Sequence, residues 1–369
     1  MTAWSVREIP ALESTTSPDA WLLHGLVQAT NAVLLDSWGT HDFDRTTHEI
    51  LGSLHDQAHV RKIRLVAVDE DGSGDGADPA RVLGYAALNM TLHDNTHLVA
   101  MELGVRPEHR GRGVGSALHD AAVARGEAAG RDTFQVSTDQ RIEPPHGPDT
   151  IAPSTGEGRV LATAAASRFA TKHGYELAQV ARFSQFDLPF DADRVGGLGL
   201  RAAEHAGPDY RLVSWAHHCP DEWLDDYALL ATRMSTDAPV GGLDLGEDVW
   251  DGERIRAVER QYEERGLGML VMAAEHVPTH TLVAFTEFMT VSHLDEFVHQ
   301  HDTLVLREHR GRHLGMLVKA ANAQRLAAEL PLVRRVGTWN AEENTHMLAI
   351  NVELGFRPAG GSGEWQLKL

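Results

Sequence analysis

The sequence predicts an α/β fold, an α+β arrangement on a mixed sheet, present in two tandem copies, and three observations carry that expectation. The chain aligns with itself. Pro18-Asp19-Ala20-Trp21-Leu22 recurs as Pro220-Asp221-Glu222-Trp223-Leu224, and Met90-Thr91 recurs as Met289-Thr290. Glu108-His109-Arg110-Gly111-Arg112 recurs as Glu308-His309-Arg310-Gly311-Arg312, with Gly115 and Gly315, Val136 and Val336, and Thr138 and Thr338 in step. Gly174-Tyr175 then matches Gly355-Phe356 after the loss of about 19 residues. Repeated order at near-constant spacing marks a duplicated supersecondary unit. The second observation is a meander of short apolar runs bounded by turn chemistry, which reads as strands. The third is a glycine-rich turn between a strand and a helix in each copy.

Taken in order, a helix begins at Ser17-Pro18, where serine caps and proline suits the first turn; Pro220 repeats the signal. Strands are expected over 65–69 and 82–91, separated by the turn-rich 71–79, and over 96–105 after His93-Asp94-Asn95. A helix over 116–129 stops at Gly130. Residues 134–138 read as a strand, 160–173 as a helix ended by Gly174, and 178–188 as a final strand. This order places helices on a mixed sheet. The copies are expected at 1–188 and 208–369, packed as an internal pseudo-dimer. Between them, 189–207 contains Gly196-Gly197 and Gly199 and reads as a linker with a short helical piece. The extra residues of the first copy fall in 140–158, a loop rich in Pro, Gly and Ser.

Composition excludes several classes. The 369 residues carry 33 Lys and Arg against 53 Asp and Glu, a formal net charge of −20. Such a surface does not hold nucleic acid or anionic lipid by counterion release. It suits cationic or amine partners, and serves equally as a solubility device. The one cysteine, Cys219, excludes an intramolecular disulfide and a Cys-rich zinc site, which points to a reducing cytoplasm. The start, MTAWSVREIPALE, has charges and a proline and lacks the apolar core of a signal peptide. No apolar run approaches the ~18 residues of a membrane helix. His217-His218-Cys219 and the pair His299 and His301 lack a full ligand set at zinc-like spacing, so no metal is expected.

The strongest local signal is Val105-Arg106-Pro107-Glu108-His109-Arg110-Gly111-Arg112-Gly113-Val114-Gly115-Ser116. Glycines turn the backbone tightly and leave nothing to block an anion. Free amides at the helix start, backed by the dipole, point at that anion, and Arg110 and Arg112 add charge-assisted hydrogen bonds. Phosphate or pyrophosphate is the ligand this pattern suits; a tight turn with solvated arginines is the plain alternative. The nucleotide loop ending in Gly-Lys-Ser/Thr is absent, and the dinucleotide fingerprint would need glycine at Ser116.

Arg110-x-x-Gly113-x-Gly115, after Val105 and before an Ala- and Leu-containing helix, resembles the acetyl-CoA loop of the GNAT superfamily of N-acyltransferases. With the strand order and the Gly-aromatic closures, the resemblance covers both halves and implies two tandem GNAT-like acyl-CoA N-acyltransferase domains, an arrangement similar to that of mycothiol synthase and other paired acetyltransferases. It implies main-chain pairing of Leu103 and Val105 with the pantetheine arm. Arg110, Gly111, Arg112, Gly113, Val114, Gly115 and Ser116 would hold the pyrophosphate, and amides of the splayed strand would form an oxyanion hole. In the second copy Val305, Arg310, Gly311 and Gly315 take these places, and His313 replaces the first motif glycine. That copy keeps Asn344, where the family commonly contacts the cofactor; the first copy has Thr163 there.

Acetyl transfer to an amine needs a base, a polarised thioester and a proton for the thiolate. Glu102 and Asp302 occupy one site in both copies and are the candidate catalytic bases, with a solvent-facing charge on an alternating strand as the alternative. Gln300, His299, His301 and Thr303 enrich the second site, although with 22 histidines no single one stands out. The family's usual tyrosine acid is replaced by Ala170 and Asn351. The expected function is transfer of an acetyl or similar acyl group from acetyl-CoA to a primary amine of a small molecule or peptide. The alternative is an acyl-CoA-binding or scaffold protein with degenerate copies. Variable early helices and loops, 21–43, 223–247 and 140–158, are expected to shape the acceptor pockets.

Overall fold

In the computed structural model the described residues are 4–70 and 77–369; most of the turn-rich segment 71–79 lies outside them. The chain forms two compact units. Unit 1 comprises Met1–Gln179, Gly242–Asp244 and Ser362–Leu369, and unit 2 comprises Val180–Gly241 and Leu245–Gly361.

Unit 1 runs β1 (Trp4–Glu8), α1 (Ala20–Trp38), α2 (Thr47–His55), β2 (Val60–Asp69), β3 (Val82–Thr91), β4 (Leu98–Val105), α3 (Val114–Ala128) and β5 (Thr133–Gln140). A short hairpin, β6 (Thr150–Ile151) with β7 (Val160–Leu161), precedes α4 (Ala165–Lys172) and β8 (Glu176–Asp187), whose residues from Val180 on belong to unit 2. Strands β1 to β4 are antiparallel neighbours, and β5 joins β4 in parallel. Strand β3 is buried along nearly its whole length because helices cover both faces of the sheet, so its apolar run is continuous rather than alternating. Leu23 and Leu26 of α1 pack on Val66, Val68 and Val82, and each such buried side chain contributes about 1.5–3 kcal/mol. The helix approaches this closely because position 25 is glycine: a Cβ there would lie 2.3 Å from Val82.

Unit 2 repeats the order: α5 (Ala192–Ala206), β9 (Tyr210–Ala216), α6 (Leu224–Asp237), α7 (Gly252–Glu264), β10 (Leu267–His276), β11 (Thr281–Val291), β12 (Phe297–Val305), α8 (Leu314–Glu329), β13 (Arg335–Ala341), α9 (Thr345–Leu354) and β14 (Arg357–Lys368), whose last residues belong to unit 1. Its sheet order is β9-β10-β11-β12-β13-β8, with β12 and β13 parallel. One core cluster holds Leu317 and Val318 of α8 with Val283 and Val336, and another holds Trp215, Leu230, Val271 and Phe285 on α6 and the strands.

Three differences from the sequence expectation stand out. The stretch expected as a helix over 160–173 is a strand at 160–161 and a helix only from Ala165. Strand β1 and helix α2 carry no signal strong enough to be expected. Residues 189–207, expected as a linker with a short helical piece, hold the 15-residue helix α5, whose Val195, Leu198 and Ala202 enter the unit 2 core. Gly199 lies there against Ala320, so the glycine marks close helix packing rather than loose chain. The closing strands also depart from the repeat boundaries. Residues 181–187 of β8 pair antiparallel with β13 in unit 2, while the C-terminal segment 362–368 lies beside β5 in unit 1. Among the described residues no helix is long and apolar enough to cross a membrane.

Candidate active site

In both units the strand before the glycine-rich turn parts from its parallel neighbour. Pairing of β4 with β5 covers only Leu98, Val99 and Ala100, and pairing of β12 with β13 covers Phe297 to Gln300. Beyond these positions, Glu102, Leu103 and Val105 in unit 1 and Val305 in unit 2 lie on strand that has left its parallel partner.

A single turn of 3-10 helix then leads into the loop. Gly111 and Gly113 take φ of +75° and +88°, and no atom lies within 4 Å of a Cβ built on either. Gly113 caps α3, whose first helical bond runs from the Ala117 amide to the Gly113 carbonyl. The amides of Val114, Gly115 and Ser116 therefore have no partner inside the helix and face an uncovered mouth. In unit 2 Gly311 has φ +76° and is equally open. His313 adopts φ +57° at the position of Gly113, a left-handed conformation that L side chains adopt at some cost. Its ring lies 4.1 Å from that of His205 on α5, and His205 Nε2 is 3.2 Å from the Gly311 carbonyl. Gly315 packs against Ile350 of α9 and Gly115 against Phe169 of α4.

The arginines sit otherwise than an anion-contacting reading expects. Arg110 donates from Nε to the Val105 carbonyl (3.1 Å) and from Nη1 to Asp36 (2.7 Å). Arg310 does the same with the Val305 carbonyl and Asp237. Arg110 braces the loop against β4 and α1, and Arg310 against β12 and α6. Arg112 lies 3.2 Å from His109 Nδ1 and is exposed. Ser116 meets His173 Nε2 at 3.2 Å. Asn344 caps α9, its side chain accepting from the Met347 amide.

The two candidate bases have different surroundings. Glu102 is exposed, 3.9 Å from Arg45, on a strand that stays in step with β3 from Gly84↔Val105 to Asn89↔Ala100. Close by, burial raises the Asp139 carboxyl to about 6 while Trp38 Nε1 donates to it at 3.1 Å. Asp302 lies in a bulge, where Thr286 pairs with Thr303 and Phe288 with Gln300, so that His301 and Asp302 together oppose Glu287. Such an extra residue re-aims side chains. Gln300 donates to the Glu287 carbonyl at 2.8 Å and satisfies the acceptor there. Glu287 accepts from the Tyr227 hydroxyl at 2.6 Å and meets His301 Nδ1 at 3.2 Å. Burial works against the His301 cation, yet the hydrogen bond to Glu287 and the Asp302 charge hold its pKa up at about 9. Burial raises Asp302 to about 6, His301 opposing and Glu287 adding to the shift.

This group sits on a cavity of about 300 Å³ between α6, α7 and strands β9 to β12. The sequence reading named Asp302 and His301 but missed Glu287 and Tyr227, whose positions signal nothing without the bulge. At the place of the expected acid, Ala170 is buried. Asn351 is buried too, donating to Asn340 while its own Oδ1 has no partner. His218 bonds Glu259 and Glu263.

Comparison with known proteins bears on the fold. Residues 24–141 match the profile of the Acetyltransferase (GNAT) family. A stretch of 69 residues is 44% identical to a mycothiol acetyltransferase of Mycolicibacterium gilvum (strain PYR-GCK) and spans 19% of this chain and 20% of that protein, about a fifth of the relative's length. Among solved structures, a tandem GNAT protein from the clavulanic acid biosynthesis pathway superimposes with a TM-score of 0.72 at 22% identity, covering 99% of this chain and 98% of that one. A GCN5-related N-acetyltransferase from Sphaerobacter thermophilus gives 0.57 at 14% identity over 99% and 95%. Residues 24–141 thus match a GNAT acetyltransferase domain, and the chain follows, over its whole length, the fold of a tandem GNAT protein.

Proposed function

We propose that the chain is an acetyl-CoA-dependent N-acyltransferase acting in a reducing cytoplasm on a primary amine of a small molecule or peptide, with unit 2 performing the transfer. The observation that carries this reading is the cavity of unit 2 ending on Asp302, on the strand that leaves its neighbour. An acyl-CoA suits both loops: open glycines of positive φ and unpaired helix amides favour a diphosphate, and a strand without its parallel partner favours an amide-bearing arm. In unit 1 Leu103, Val105, Gly111, Gly113, Val114, Gly115 and Ser116 would hold it, with Arg110 and Arg112 shaping the loop. In unit 2 Val305, Gly311, Gly315 and Asn344 would do so, with Arg310 bracing the loop.

The thioester supplies an activated acyl carbon, so that an N–C bond replaces the C–S bond and the thiol leaves with a proton. Asp302 takes the proton that the ammonium sheds. With a pKa of about 6 it is ionised at neutral pH and basic enough to accept. His301, kept cationic by Glu287, offsets negative charge beside it. Main-chain N–H groups of the parted strand stabilise charge on the acyl oxygen. For unit 1 a second reading has its own support. Glu102 is exposed and ion-paired with Arg45, which suits acyl-CoA binding or a scaffold role without turnover.

Thiol release from acetyl-CoA with a panel of amines, on the full chain, tests the proposal alongside thermal stabilisation by acetyl-CoA. Amine-dependent release that disappears in Asp302→Asn supports it. Stabilisation without release by any amine leaves the binding reading alone.

A further inference from the structure

The cavity of unit 2 is at the lower end of the range for small-molecule sites, about 300–1,000 Å³. Its walls carry Trp215, Tyr227, Trp250, Tyr262 and Phe285, and its polar end carries Glu287, His301 and Asp302. The rings are set edge-on to one another, Trp215 to Tyr227 at 5.2 Å and Tyr227 to Phe285 at 5.5 Å. Aromatic faces attract cations through their quadrupoles. Among the described residues no lysine or arginine lines the cavity. Two arginines of the neighbouring helix α7 are engaged: Arg254 stacks on Trp250 at 4.3 Å, and Arg256 pairs with Glu259 and Asp221.

Charge decides what fits. Both Glu287 oxygens have partners, Tyr227 and His301, and the His301 cation is matched by that carboxylate. Asp302 accepts no hydrogen bond among the described residues and is the carboxylate open to an ammonium. An anionic group on a ligand would meet Asp302 and Glu287 with no lysine or arginine among the described lining residues to receive it, and like charges in such a space repel.

We infer that the acceptor taken by unit 2 is a compact primary amine with an aromatic or aliphatic body and no carboxylate or phosphate, its ammonium on Asp302 and its body against the rings. The inference rests on the transferase reading for the word acceptor, and on the cavity alone for the charge preference.

The test uses the full chain in two arms. In the first, thiol release at saturating acetyl-CoA compares 2-phenylethylamine with phenylalanine, which differs only by its carboxylate. The expected kcat/KM ratio favours the amine by on the order of 100-fold; equal use, or preference for the amino acid, overturns the proposal. In the second arm, phenyltrimethylammonium, which cannot be acylated, is titrated against tryptophan fluorescence, with phenylacetate as its anionic counterpart. Saturable quenching by the cation, lost in Trp250→Ala and not produced by phenylacetate, supports the cavity's preference. Equal response to both ions, or none to either, overturns it. Selective cation binding with no turnover of any amine upholds the charge preference while removing the transferase reading, so the two failures are distinguishable.

Discussion

Units 1 and 2 present the same loop after the same strand, yet each has what the other lacks. Unit 1 has glycine at position 113, an open mouth and the stretch that the acetyltransferase family profile matches. Its candidate carboxylate, however, is exposed beside Arg45 on a regular strand. Unit 2 puts His313 into the left-handed position and packs His205 against it. Its strand bulges at His301 and Asp302, turning them toward an aromatic cavity. One extra residue in a strand thus separates a charge facing solvent from a charge facing a pocket. A further exchange lies behind the loops. His119 of α3 meets the Tyr175 hydroxyl at 3.3 Å, whereas its counterpart Lys319 lies over the Phe356 ring at 5.5 Å.

The largest expected effect contrasts the two carboxylates. Asp302→Asn should lower kcat for thiol release by on the order of 100- to 1,000-fold, whereas Glu102→Gln changes it little; equal losses would erase the division of labour. Next comes the loop. Gly113→Trp places an indole at φ +88° in the mouth of unit 1 and should weaken one class of CoA site at least tenfold by titration calorimetry. Unchanged affinity and stoichiometry would contradict the loop assignment. The pH profile sharpens the comparison further. A base raised to about 6 is active when ionised, so kcat/KM should climb through pH 6 and level above it. The climb should be absent from any residual activity of Asp302→Asn.

The smallest effect concerns stability. Burial lowers Lys319 to about 7 from its usual 10.5. A base whose folded value is depressed destabilises fully below pH 7, where it is charged in both states, and the penalty fades as pH rises toward 10.5. Lys319→Met should therefore raise the melting temperature by a few degrees at pH 6 and by less at pH 9. A gain that does not vary with pH would assign the effect to packing instead.

Much of the fold was legible because it is local. A continuous apolar run bounded by turn chemistry marked β3 over its full length, and the loop's glycines marked the start of α3 to within two residues. Helix α5 was hidden because Gly196, Gly197 and Gly199 carry the same composition whether they loosen a linker or let a helix approach Ala320. Asp302 could be named from its place in the repeat. The Glu287 and Tyr227 pair beside it could not, since these are ordinary residues of a strand and a helix until register brings them together.

By itself the sequence determined that the unit occurs twice, that each copy has a glycine turn between strand and helix, and which carboxylates occupy matching sites. Those facts depend on neighbouring residues and on spacing along the chain. Only the tertiary structure decided which sheet each closing strand joins, since two strands of common pattern satisfy either edge alike. It also decided where the aromatic rings converge, because side chains from α6, α7 and four strands meet only through contacts distant in the chain.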